Sequence, residues 1–177
     1  MTTITYRIKQ GLRALFAFTT DVDTTLARQY LNAQEYALFQ TMAHAEQLHS
    51  LNVLRTVLAQ GAETPLELAA AALLHDVGKA RYHLAVWQKT VSVLAESFTP
   101  ALFASLSAGN DLTWWRAPFM VREQHPAWGA DMLKAINSDP LVVFLVGHHA
   151  HHLDNCGDVP ENYIRLLARL KKADGEN

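Results

Sequence analysis

The run Leu68–Leu74, LAAAALL, is apolar on nearly every side, and His75-Asp76 follows it at once. A helix without a polar face must be surrounded by other elements, so this one belongs at the centre of the fold. Thr64-Pro65-Leu66-Glu67 reads as its start. Thr64 is the expected cap, Pro65 takes the first helical position, and Glu67 completes a capping box. Gly78 is the expected stop. The simplest shell around such a helix is more helix. With only 8 Gly and 6 Pro in 177 residues, the chain lacks the turn residues of an all-β fold. Abundant Ala and Leu favour helix, and a composition that is 50% hydrophobic suffices for one core. The expected fold class is therefore all-α, a helical bundle.

The remaining punctuation fits that reading. Asn32 with Glu35 predicts a helix reaching about Met42. A second should run from near His44 to about Gln60, with Leu48, Leu51, Leu54 and Leu58 near one face and Gly61 beyond its end. Further helices are expected over Leu84–Phe98, from Thr99-Pro100, and on either side of His125-Pro126. Residues 108–118 read as a loop. Ser138-Asp139-Pro140 opens a helix ending near Ala150, because no partner strand is evident for the apolar run Leu141–Val146. Residues 151–160 read as loop, and a last helix reaches about Lys172. Residues 1–30 are expected to form a helical arm and residues 31–177 the main domain.

Several function classes are disfavoured. A formal net charge of -2 leaves no basic excess for a nucleic-acid polymer. Cys156 is the single cysteine, so neither an internal disulfide nor a Cys-rich zinc site can form, and an ordinary loop thiol is the expectation. Arg7, Lys9 and Arg13 precede only a short apolar stretch, which is not a signal peptide. The longest apolar runs are too short to span a bilayer. These features fit a cytoplasmic protein with no membrane partner. A homodimer is compatible with them.

Nine histidines are many for this length. His49, His75-Asp76, His125, His148-His149 and Asp174 each fall on a different expected element. Helical bundles build metal sites in this way, from side chains projecting inward off several helices. Mixed nitrogen and oxygen donors suit borderline divalent metals, and a carboxylate such as that of Asp76 can bridge two cations. His125, preceding Pro126, is expected to be held extended. His148 and His149 diverge by about 100° on a helix, and His148 can share a face with His152 instead. His151 and His152 read as loop or rim residues, His44 and His83 as surface or packing residues. Trp87, Trp114, Trp115 and Trp128 read as core.

This ordered set, with LLHDVGK at its centre, resembles the HD superfamily of metal-dependent phosphohydrolases. The resemblance extends from about Leu31 to the end, and is nearest to small bacterial HD-domain proteins. It implies an HD-domain helical bundle. It also implies one or two divalent ions (Fe, Mn, Mg, Co, Ni or Zn) held by His49, His75, Asp76, His125, His148, His149 and Asp174. Asp76 would bridge them and Lys79 would lie beside the substrate phosphate, these two being the catalytic pair. Arg116 and Arg122 are candidates for further phosphate contacts. The implied substrate is a small phosphorylated molecule, a phosphomonoester or phosphodiester, with nucleotide-like compounds among the candidates. Some relatives in the superfamily use the same ligands as diiron oxygenases, and a non-catalytic binding module is a third outcome. The chain is also distantly similar to HD-GYP cyclic-dinucleotide phosphodiesterases. However, Ala150 and DNCGDVP stand where those enzymes carry Glu and Gly-Tyr-Pro, and Ala45 stands where a carboxylate would support a third metal. These departures count against cyclic-dinucleotide hydrolysis and a trinuclear site.

Overall fold

A computed structural model describes residues 21–61, 63–150 and 159–177. Among them the regular elements are all helical. They are α1 (Thr24–Tyr30), α2 (Ala33–Thr41), α3 (His44–Leu58), α4 (Leu66–Leu74), a 3-10 turn (Val77–Arg81), α5 (Val86–Phe98), α6 (Pro100–Ser107), α7 (Ala117–Ala135), α8 (Pro140–His148) and α9 (Glu161–Gly175). No helix among the described residues is long and apolar enough to cross a membrane.

α4 is the axis of the molecule. Every residue from Leu68 to Leu74 is buried, enclosed by α1, α2, α3, α8 and α9. One continuous core results, running from Ala27 on α1 through Leu51 and Leu54 on α3 to Leu167 and Leu170 on α9. Residues 21–30 thus share the core of the main domain, and residues 1–20 lie outside the described residues. α7 packs on α8 and on the 3-10 turn, and the α5–α6 pair leans on α7 as an outer layer.

Several helix ends follow the local chemistry. Asn32 Oδ1 accepts from the N–H groups of Gln34 and Glu35, and Glu35 accepts in return from the Asn32 N–H at 3.1 Å. Asp139 accepts from the Leu141 N–H, with Pro140 at the first helical position. Gly61 has a positive φ of 74°, as a residue just past a helix end requires.

Other expectations are corrected. α4 begins at Leu66 with Pro65 in the cap position and no side-chain cap. Thr64 Oγ1 instead accepts from Arg169, which ties α9 to the start of α4. α4 ends at Leu74, and Gly78 lies in the 3-10 turn, where it admits the backbone of α7. His125-Pro126 does not divide two short helices: α7 is a single helix with Pro126 inside it. Pro126 has no N–H for the Arg122 carbonyl four residues before it. His125 Nδ1 donates to that carbonyl at 2.9 Å and replaces the missing bond. His125 is therefore helical rather than extended. α9 runs past Lys172 because Leu166, Leu167, Leu170 and Ala173 form a stripe that stays buried through its last turn. Trp87, Trp114 and Trp115 are exposed rather than core. Trp128 is partly buried beneath the Arg81 guanidinium. The expectations for His151, His152 and Cys156 fall outside the described residues.

Candidate metal centre

The site forms where five segments meet. His49 comes from α3, His75-Asp76 from the turn ending α4, His125 from α7, His149 from the end of α8 and Asp174 from the last turn of α9. Each segment is held in place by identifiable contacts. α9 is anchored by Arg169, which donates to Gln60, the Glu63 carbonyl and Thr64. Lys171 donates to the His149 carbonyl at 2.7 Å and so joins α9 to the end of α8. The 3-10 turn and α7 touch through Gly78 and Gly129, where neither chain carries a side chain to hold them apart.

Three of the imidazoles are oriented by the backbone. His75 Nδ1 lies 3.0 Å from the Ala72 carbonyl, His125 Nδ1 2.9 Å from that of Arg122, and His149 Nδ1 2.8 Å from that of Val146. A carbonyl oxygen only accepts, so each Nδ1 carries the hydrogen. In the neutral ring, each Nε2 then presents a bare lone pair. These three nitrogens point at the Asp76 carboxylate. Asp76 Oδ1 lies 3.4 Å from His125 Nε2 and 3.8 Å from His149 Nε2, and its Oδ2 lies 3.6 Å from His75 Nε2. His125 Nε2 and His149 Nε2 approach to 3.2 Å. Neutral rings in these tautomers repel at that distance; a proton or a cation between them removes the repulsion.

Asp76 joins two groups of potential ligands, His49–His75–Asp76 and Asp76–His125–His149. Asp174 stands beside the first, with Oδ1 2.9 Å from His49 Nε2 and 3.5 Å from His75 Nε2. His75, Asp76, His125 and His149 are all buried. The donor set of imidazole nitrogen and carboxylate oxygen fits a borderline divalent metal. The fit has a specific sign: His75 Nε2 is buried with no hydrogen-bond partner. Such an atom carries a desolvation cost that a bound cation offsets.

The electrostatics agree. Burial opposes charge on His75, but Asp76 and Asp174 outweigh it and raise its pKa. Burial likewise opposes charge on Asp76, yet Lys79, His75 and His125 hold its carboxyl well below the ordinary range. Asp174 is lowered against its burial by its hydrogen bond with His49 and by the neighbouring His75. Lys79 is raised against its burial by Asp76, whose Oδ2 accepts from Nζ at 2.6 Å. Burial, then the neighbouring His125 and His75, push His149 well down, so it stays neutral with its lone pair available.

A cleft of about 500 Å³, open to solvent, adjoins this cluster through Lys79 and His125. Lys89 and Arg122 add positive charge to its lining, and Leu84, Val93, Pro118 and Val121 add apolar wall. Glu46, also in the lining, accepts from Lys89 at 2.8 Å. Arg122 pairs with Glu96, its Nε donating at 2.5 Å.

Most of the sequence candidates come together here, and two do not. His148 turns the other way: its Nδ1 donates to the Phe144 carbonyl at 2.8 Å and its ring stacks on Phe144 with centroids 4.4 Å apart. The divergence of adjacent helical residues, which sends His149 inward, sends His148 out of the cluster. Arg116 is absent from the cleft lining. It donates to the carbonyls of Leu106 and Ala108 and closes the loop before α7. Glu46 and Lys89 were not singled out in the sequence. Glu46 had a readable signal, since it lies three residues before His49 and so shares its helix face. Lys89 had none, because its place depends on how α5 packs.

The HD domain profile matches residues 48–174, from the position before His49 to Asp174 itself. The chain belongs to the HD domain family. Comparison with curated proteins and with solved structures found no match. HD domains bind divalent metals, and membership suggests a function of the metal-dependent phosphohydrolase type. The two His/Asp groups that meet at Asp76 are where a metal can bind.

Proposed function

We propose that this HD domain hydrolyses a phosphate ester, a monoester or diester of a small molecule, at a mononuclear or binuclear metal centre built around Asp76. His49, His75, Asp76 and Asp174 would hold one ion, and Asp76, His125 and His149 a second. The observation that carries this reading is the convergence of three backbone-oriented Nε2 lone pairs on one buried carboxylate. When bound, divalent cations acidify water, polarise a phosphoryl oxygen and favour in-line displacement.

The chain's own residues account for the rest. Asp76 directs one oxygen to each half of the cluster. Lys79, bonded to Asp76 and lining the cleft, is placed to neutralise charge on the phosphoryl oxygens. The lining carries three cations, Lys79, Lys89 and Arg122, against one carboxylate, Glu46, which is paired with Lys89. This lining favours an anionic substrate.

The test is hydrolysis of generic phosphomonoesters and phosphodiesters by protein loaded with Mn or Fe, with metal content measured on the same samples. His75→Ala and Asp76→Ala should abolish both metal binding and turnover. Turnover that persists in these variants without metal, or oxygen uptake in place of phosphate release, would defeat the reading.

A further inference from the structure

The outer face of α5 and the start of α6 form an apolar surface that no described residue covers. Trp87, Val91, Leu94 and Phe98 recur at intervals of four, three and four along α5, and Leu102 on α6 extends the patch. All five are exposed, from 42% for Val91 to 79% for Phe98. The same face bears Thr90 and Ser97 but no charged residue. The charged residues of α5 lie elsewhere: Lys89 is paired with Glu46 and Glu96 with Arg122, toward the cleft. From Ser97 to Asn110 the sequence holds no charge at all.

Two features identify the occupant. A narrow stripe with four-three spacing is the seam by which one helix packs against another. Its lack of charge suits a copy of itself, because a two-fold contact sets each residue near the axis against its own equivalent, and any charge there would meet a like charge. A membrane surface fits less well, since interfacial helices carry Lys and Arg on their polar face, whereas the only basic residue of α5 is engaged by Glu46. With Val86, which is 70% exposed, the patch amounts to roughly 700 Å². That exceeds the largest patch usual on a monomer, about 300–600 Å². It approaches the roughly 800 Å² per partner of a standard interface.

We infer that the chain forms a two-fold homodimer through the Trp87–Val91–Leu94–Phe98 face of α5. Lys89, Ser92 and Val93 on the opposite side of this helix line the cleft, so the contact also braces a wall of the candidate active site. The inference does not rest on hydrolase activity.

Sedimentation equilibrium of the full chain, across about 1–100 µM, tests it. An interface of this size predicts a dimer of micromolar affinity or tighter. Leu94→Glu and Phe98→Glu should each give a monomer with unchanged circular dichroism and metal content. Leu66→Glu, at an exposed apolar position outside the stripe, should remain dimeric. A wild-type monomer would overturn the inference, whether or not it binds neutral lipid vesicles. So would a dimer that survives both α5 substitutions, or one that Leu66→Glu dissolves equally well.

Discussion

Substituting Gly78 by Ala tests the contact that brings Asp76 and His125 together. A Cβ at this position would lie 2.0 Å from the His125 carbonyl oxygen and 2.7 Å from the Gly129 nitrogen. Real contacts of this kind do not fall below 3.0 Å, so the backbones must separate by about 1.0 Å. Gly78 is not among the residues of positive φ, so alanine brings no torsional penalty there. The cost is therefore steric. Overpacking of this kind costs about 1–3 kcal/mol, and the upper end applies because neither obstructing atom can rotate away. In a protein of this size, that lowers Tm by roughly 6–12 °C. The shift also displaces His125. A movement of 1 Å is about half a metal–nitrogen bond of roughly 2.0 Å, so ions held through His125 and His149 should be lost before those held through His49 and His75. Thermal unfolding of the metal-free protein and elemental analysis after Mn loading measure the two effects. Gly175→Ala is the control, because a Cβ there meets nothing within 4 Å. A Gly78→Ala protein with wild-type Tm and a full complement of metal would refute the close packing of α7 on the 3-10 turn.

The paired histidines at the end of α8 should separate cleanly. His149→Ala is expected to weaken metal binding at least tenfold by titration, while His148→Ala should bind as wild type although it loses its stacking on Phe144 and its bond to the Phe144 carbonyl. The metal-free protein should also be acid-sensitive in two steps, seen as Tm against pH. His149 has a lowered folded pKa, so the unfolded chain takes up its proton first and stability falls as pH drops through about 6.5. Asp76 and Asp174 are also lowered, so their contribution is complete above about 3.9 and is lost as pH falls further. His75 acts in the opposite sense: its raised pKa stabilises below about 6.5 and that contribution fades as pH rises through the folded value. A flat profile between pH 7 and 3 would contradict these assignments.

Local chemistry made much of this legible in advance. The all-round apolar run of α4 announced a central helix, and the Asn32–Glu35 and Asp139-Pro140 signals marked real helix starts. His75-Asp76 could be read because it directly follows that central helix and must therefore be enclosed. What could not be read depends on rotation about helix axes and on distant packing. Whether His148 or His149 faces inward is fixed by how α8 sits on α7 and α4. Thr64 reads as a cap in isolation, yet Arg169 reaches it from over a hundred residues away. The exposed tryptophans show the limit from the other side: size and apolarity argue for burial, but α5 and α6 form an outer layer and leave most of Trp87 uncovered by any described residue.

The residues that sequence reading treats as interruptions turn out to position the site. Pro126 seemed to divide α7, and Gly78 seemed to end α4. In the fold, the proline frees a carbonyl that orients the His125 ring, and the glycine lets that ring's helix approach Asp76. The two effects are coupled, because the carbonyl closest to Gly78 belongs to His125 itself. Pro126→Ala should restore the ordinary helical bond to Arg122 and strengthen the helix, since alanine is favoured over proline in helix interiors by about 3 kcal/mol. The restored N–H would then compete with His125 Nδ1 for the same oxygen. Sharing that oxygen would weaken its hold on the ring, while the 3.0 Å contact with the Val121 carbonyl would remain. A Pro126→Ala protein that is more heat-stable yet binds its metal more weakly would show that the helix is weakened there to hold the imidazole. Equal or stronger metal binding would mean that the proline has no part in aiming His125.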